Sequence, residues 1–247
     1  MEENKIEEMQ RRKIPFNELM RWSASIYRRY FHYILGISLF VNLPVHIIGQ
    51  FFPARFAITT TDIVEQNMER ILPYIYFAAG IFVLFTPLAI GATTSLAHQA
   101  LKGEDISVPA MLDASLQKWH KHIVTMLIIV LAVISTSCLF VLALYVAITV
   151  CLSSSIVAVS DSWGLAAMRE SNRLVFGSKK FVLLLFIMRT AAEVSIFPIV
   201  TTASAHENIA VRLFGGVMGN VLLSFFSVVF AVFFLNIIYL KEFQNAQ

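Results

Sequence analysis

Five long apolar stretches, 31–52, 71–97, 122–160, 181–203 and 213–240, alternate with short segments dense in charge. A membrane-crossing helix needs about 20 predominantly apolar residues, so each stretch predicts at least one span. The third is too long for one. As a single helix its 39 residues would reach roughly 58 Å, about twice a bilayer core. Two helices, 122–139 and 141–160, joined by a tight turn near Ser135-Thr136-Ser137-Cys138, fit the length, although no Gly or Pro marks the turn. Charge arbitrates, because Lys and Arg gather in short cytoplasmic segments. Six spans with the N-terminus inside put 15 basic residues in the cytoplasmic segments and 3 outside; five spans give 11 and 7. The pattern therefore predicts an all-α polytopic membrane protein of six transmembrane helices arranged as three hairpins, both termini cytoplasmic. Residues 1–30 form a cytoplasmic amphipathic segment, 31–240 a single transmembrane domain (31–52, 71–97, 122–139, 141–160, 181–203, 213–240), and 241–247 a cytoplasmic tail.

Composition agrees. Hydrophobic residues make up 57% of the chain and charged ones 14%, with a mean hydropathy of +0.72; a soluble domain carries about a quarter charged residues. The first apolar run is too long for a signal-peptide core and is expected to act as an uncleaved first span. Cys138 and Cys151 both lie in apolar runs and offer neither a disulfide framework nor metal-ligand spacing. No Asn-x-Ser/Thr sequon occurs.

Local signals refine the boundaries. Asp62 and Glu65 have capping-box spacing at the start of the second span, which Pro73 and Pro87 should bend. In "KGEDISVPAML" a turn at Gly103 is followed by Ser107 as N-cap and Pro109 in the first turn of a new helix. Gly215 and Gly219, four apart, allow two helix backbones to approach closely.

Three stretches enter an apolar run in a similar way: "ELMRWSASIYRRYFHYIL" (18–35), "AMLDASLQKWHKHIVTML" (110–127) and "AAMRESNRLVFGSKKFVLL" (166–184). Each carries a polar residue (Ser23, Ser115, Asn172), an aromatic four later (Tyr27, Trp119, Phe176), then cations, all on one helical face. This reads as a threefold unit of cytoplasmic interfacial amphipathic helix plus transmembrane hairpin; juxtamembrane helices collecting aromatics and cations independently would read the same way. The stretch "SDSWGLAAMRESNRLVFGSKKFVLLL" resembles bacterial membrane proteins related to the membrane domain of glycerophosphodiester phosphodiesterases and to the YciC-like proteins. The matching positions are Asp161, Gly164, Ala167, Ser171, Leu174, Gly177 and Lys179, and "LAHQALKGEDISVPAMLDASL" is similar to the family's earlier loop. The resemblance spans roughly 85–190 and departs at "IVAVSD", where the family often has Pro. It implies a six-helix module of the bacterial plasma (inner) membrane. In the phosphodiesterase members a separate soluble domain does the catalysis. Nothing here is long or polar enough to be one, so the expectation is a module without hydrolase activity.

Nucleophile-elbow, zinc-protease, paired Cys-x-x-Cys and Walker patterns do not occur, and no metal or other cofactor is expected. His120 and His122, two apart, point to different sides of a helix and suit lipid headgroups alongside Trp119. Trp163, Arg169, Arg173, Phe176, Lys179 and Lys180 suggest a second headgroup-facing band. Asn42 and His46 share a face around Pro44. Arg189 and Glu193 share a face roughly 12 and 18 Å from their helix start, with Asn220 and Asn236 as possible partners. Ionisable groups at that depth point inward by default. They are expected to pair and join helices, or to line a polar cavity between the first and fifth spans that holds an ion or headgroup. The partners implied are the lipid bilayer and other membrane proteins or lipids, not nucleic acid. The expected function is a non-enzymatic binding, scaffold or membrane-homeostasis module, the alternative a transporter of a small or amphiphilic solute.

Overall fold

A computed structural model describes residues 3–51, 68–104, 106–136, 138–204, 206 and 208–246. The Asp62–Glu65 capping signal lies outside them. The described residues are almost all helical, with no strand among them. The helices are α1 (Glu3–Arg11), α2 (Phe16–Arg29), α3 (Phe31–Phe51), α4 (Met68–Lys102), α5 (Val108–Gln117), α6 (Trp119–Thr136), α7 (Phe140–Val150), α8 (Ser153–Val159), α9 (Leu165–Val175), α10 (Lys179–Ser204) and α11 (Ile209–Ala246). A 3₁₀ turn, Phe176–Ser178, joins α9 to α10.

The breaks have local causes. Gly103 adopts a φ of 69°, and the Glu104 amide donates to the Gln99 carbonyl at 3.1 Å. This is a Schellman end for α4, open to glycine because φ is positive. Ser107 occupies the N-cap of α5 with Pro109 in the first turn, but its side chain makes no capping bond. Proline does not stop the longer helices: α3 continues through Pro44 and α4 through Pro73 and Pro87.

The turn at Gly103 sends α5 back along α4. A Cβ on Gly91 of α4 would lie 3.0 Å from Ser115 Oγ, and Trp119 Nε1 donates to the Leu84 carbonyl at 2.8 Å. Leu84 is 18 residues from the end of α4, roughly 27 Å along the axis. The expected surface helix is thus the second arm of a helical hairpin. Likewise, the apolar stripes of α2 (Leu19, Ser23, Ile26) and α9 (Ala167, Ser171, Leu174) are buried. In the third stretch the buried polar residue is Ser171, whereas Asn172, the position expected there, is exposed.

The 122–160 stretch divides where length required, between Thr136 and Phe140, and α6 packs on α7. A second break at Cys151–Leu152 separates α7 from α8. Ser171 Oγ bridges it, donating to the Thr149 carbonyl (2.7 Å) and accepting from the Leu152 amide (3.2 Å). The helices that contain the stretches 71–97, 181–203 and 213–240 run over 68–102, 179–204 and 209–246.

Among the described residues, four segments are long and apolar enough to cross a membrane: Trp119–Thr136, Val141–Val159, a window within Leu165–Val200, and one within Ile209–Gln244; α3 adds a shorter apolar segment, Phe31–Pro44. That is the signature of an integral membrane protein. The four are not alike. The windows in α6 and in α9–α10 are only 17% and 11% buried by protein, whereas that in α11 is 61% buried. α11 is the axis, packed on α1, α2, α3, α4 and α10, with Val228, Val229, Val232 and Phe234 fully enclosed. Buried apolar residues cluster along 9–41, 88–112, 148–185 and 228–239. Large exposed apolar residues concentrate instead on α6 and its turn into α7 (Leu131, Ile134, Val141), distal α10 (Val194, Phe197) and early α11 (Phe214). One end is a protein-filled core, the other a bundle with an apolar exterior.

Candidate functional site

Arg189 Nε donates to Glu193 Oε1 at 2.8 Å, so the two charges pair along their own helix. Their side chains are 43% and 41% exposed, on the stretch of α10 that also bears exposed Ile187 and Val194. The expectation that they face the bundle interior is corrected. Among the described residues, α11 packs on both α3 and α10. Asn42 Nδ2 donates to Ser38 Oγ at 3.0 Å within α3. The His46 side chain lies outside the described residues, and Asn220 is half-buried on α11. Of the expected polar cluster, Asn42 thus bonds within α3 and Arg189 pairs with Glu193 within α10.

His122 also departs from expectation. It is fully buried, and neither ring nitrogen has a hydrogen-bond partner among the described residues. Folding α5 back on α4 places the first turn of α6 against Gly91, where a Cβ would stand 3.2 Å from His122 Nε2. His122 therefore fills the α4–α5–α6 junction, while His120, on the other side of the helix, is exposed. Lys118 Nζ donates to the carbonyls of Ala158 (3.2 Å) and Ser160 (3.1 Å), a cation at the C-terminus of α8 where the helix dipole favours it. Trp119 is half-buried.

Around α9 the expected band is on the surface. Trp163, Arg169, Arg173 and Lys180 are exposed, and Phe176 is 75% exposed. Gly164, at a φ of 58°, donates its amide to Thr125 Oγ1 at 2.8 Å and ties the start of α9 to α6. Tyr27, the aromatic of the first repeat, donates to the Val221 carbonyl at 2.7 Å; burial raises its pKa, with Ser224 acting the other way.

The 3₁₀ turn and the start of α10 meet the α1–α2 linker and α11 around a cavity of ≈ 450 Å³. Lys13 Nζ donates to the Gly177 carbonyl at 3.1 Å. Lys179 Nζ donates to Tyr145 Oη at 2.9 Å and lies 4.5 Å from that ring's centroid and 4.9 Å from that of Phe176. Phe181 stacks on Phe233 at 4.9 Å. Asn236 holds the linker: its Nδ2 donates to the carbonyls of Met9 and Arg12, and its Oδ1 accepts from the Ile14 amide, each at 3.1 Å. Ser178 is 6% exposed, and its Oγ has no partner among the described residues. The sequence pointed to Phe176, Lys179 and Lys180; it missed Lys13, Ser178 and the placement of Asn236. The available signals were a lysine just before Pro15 and an asparagine within the most apolar run of the chain. Compared with models of known protein families, with curated proteins and with solved structures, the chain finds no match.

Proposed function

We propose that the protein is a non-enzymatic, six-span module of a bacterial plasma membrane, with both termini cytoplasmic, that acts by binding or scaffolding at the cytoplasmic face. The charge asymmetry and the motif resemblance around 161–184 support the compartment and topology. One observation carries the mode of action. The bundle axis is filled by apolar side chains from Val228 to Leu235, most of them fully buried, whereas an aqueous transport path opening at that end of the bundle would need polar lining or interrupted helices. The transporter reading has no comparable support.

Thiol accessibility in intact and permeabilised cells tests both halves of the proposal. Exposed Cys138 and a cysteine at His206 should react with an impermeant maleimide from outside, and one at Asn172 only after permeabilisation. Cysteine in place of Val229 should stay unreactive toward a small water-soluble thiol reagent in either case. External labelling at 172 refutes the topology; labelling at 229 refutes the solid-axis reading and restores the transporter.

A further inference from the structure

We propose that the cavity between the α1–α2 linker, the 3₁₀ turn and α11 binds the phosphate group of an anionic phospholipid. The ligand's charge follows from the lining. Lys13, Lys179 and Lys180 contribute three cations, and no carboxylate is among the cavity's lining residues. Lys179 is engaged with Tyr145 Oη and two aromatic faces. Lys13 uses one of its three N–H donors on the Gly177 carbonyl. Lys180 is exposed and makes no ion pair among the described residues. Surface lysines alone would say little. The second observation is Ser178, a residue of the cavity wall whose buried hydroxyl has no hydrogen-bond partner among the described residues. A buried polar atom left without a partner is costly and uncommon, and a phosphate oxygen would accept its proton while the lysines neutralise the charge.

The lipid source follows from position. Immediately beyond Lys180 the outer surface of α10 becomes apolar, with Leu184 and Ile187 exposed. A phosphate held by Lys13, Ser178 and Lys180 thus sits where charged surface gives way to apolar surface, the depth of a headgroup, with acyl chains free to run along α10. This assignment rests on the membrane-embedded reading. The two fail separately: thiol labelling reports embedding and topology, while the titration below reports the site.

The full-length protein in detergent would be titrated with short-chain phosphatidylglycerol, short-chain phosphatidylcholine and inorganic phosphate, and bound species counted by native mass spectrometry. Phosphatidylglycerol should bind one per chain and more tightly than phosphatidylcholine. Ser178→Ala and Lys13→Gln should each weaken it about tenfold, the loss expected for one charge-assisted hydrogen bond. Lys102→Gln, an exposed lysine elsewhere, should leave it unchanged. Ser178→Asp, which puts a carboxylate into the cavity, should abolish phosphatidylglycerol binding while the melting temperature is kept, so that loss of binding is not loss of fold. Failure of millimolar inorganic phosphate to displace the lipid supports the headgroup. Displacement by inorganic phosphate with the same variant pattern overturns the lipid assignment in favour of a free phosphate. Equal binding of the two lipids, or wild-type affinity in both Ser178→Ala and Lys13→Gln, overturns the site altogether.

Discussion

Asn236 shows how one polar side chain in an apolar run is used. It is 2% exposed, and its amide satisfies the Met9 carbonyl near the end of α1 and one carbonyl and one N–H of the segment joining α1 to α2. Asn236→Leu would keep the volume but leave those three backbone groups unpartnered, at about 1–3 kcal/mol for each one that water cannot reach. The linker should then detach locally while the rest of the bundle stays folded. Tryptic cleavage at Arg12 and Lys13 should accelerate at least tenfold, since cleavage of a transiently opened segment follows its open population. Unchanged cleavage would show that Asn236 does not anchor the arm. That a polar residue in this run required partners was legible in the sequence; the choice of partners was not, because they lie more than two hundred residues away. The converse holds for Arg189 and Glu193. Four-residue spacing was enough to place them within reach of each other, but their direction depends on α11 taking the inner face of α10, which spacing does not encode.

Between elements, the closest approach was legible from two glycines. A Cβ on Gly215 would collide with that of Ala203, and one on Gly219 would lie 2.7 Å from Val200 Cγ2. The α10–α11 contact therefore depends on the missing side chains. Replacing a helical Gly by Ala ordinarily gains about 1 kcal/mol in propensity, whereas overpacking costs about 1–3 kcal/mol. At Gly80, where none of the described residues lies within 4 Å of the added Cβ, the first effect should win and Gly80→Ala should leave the melting temperature unchanged or raised. At Gly215 the second should win, lowering it, and Gly215→Ala combined with Ala203→Gly should recover most of the loss. A Gly215→Ala variant that melts like the parent would contradict the packing. The short helices were less legible. Their apolar stripes identified α2, α5 and α9 as amphipathic, but a stripe made to rest on lipid and one made to rest on protein have the same period. Ser171 and Ser115 carry the distinction: small hydroxyls admit close backbone contact, and Ser171 repairs the ladder where α7 breaks from α8.

At the scale of the whole molecule, hydropathy merges two environments that the structure separates. The run 213–240 is apolar over its first half, where Phe214 and Leu222 are exposed, and remains so over 228–237, where protein covers almost every side chain. Composition cannot distinguish lipid from neighbouring helices as the reason for a valine. What distinguishes them is the exposed surface. Near Leu131, Ile134, Phe197, Ile199 and Phe214 it is apolar, whereas around Lys102, Glu104, Asp113, Arg169, Arg173 and Glu242 it is charged. The bilayer should enclose the first group and leave the second in water, with the boundary near Lys179 and Lys180. Only part of α11 would then lie in the hydrocarbon. Its 38 residues, roughly 57 Å, exceed a bilayer core of about 30 Å, and the surplus forms the axis of the protein-filled end. Nitroxide labels on the reconstituted protein can locate that slab. Labels at Leu131, Phe197 and Phe214 should be relaxed by oxygen and shielded from an aqueous nickel complex, and labels at Lys102, Asn172 and Glu242 should show the reverse. A water-accessible label at Phe214 would move the boundary away from the apolar end, and a lipid-exposed label at Asn172 would place α9 inside the bilayer rather than on the charged rim.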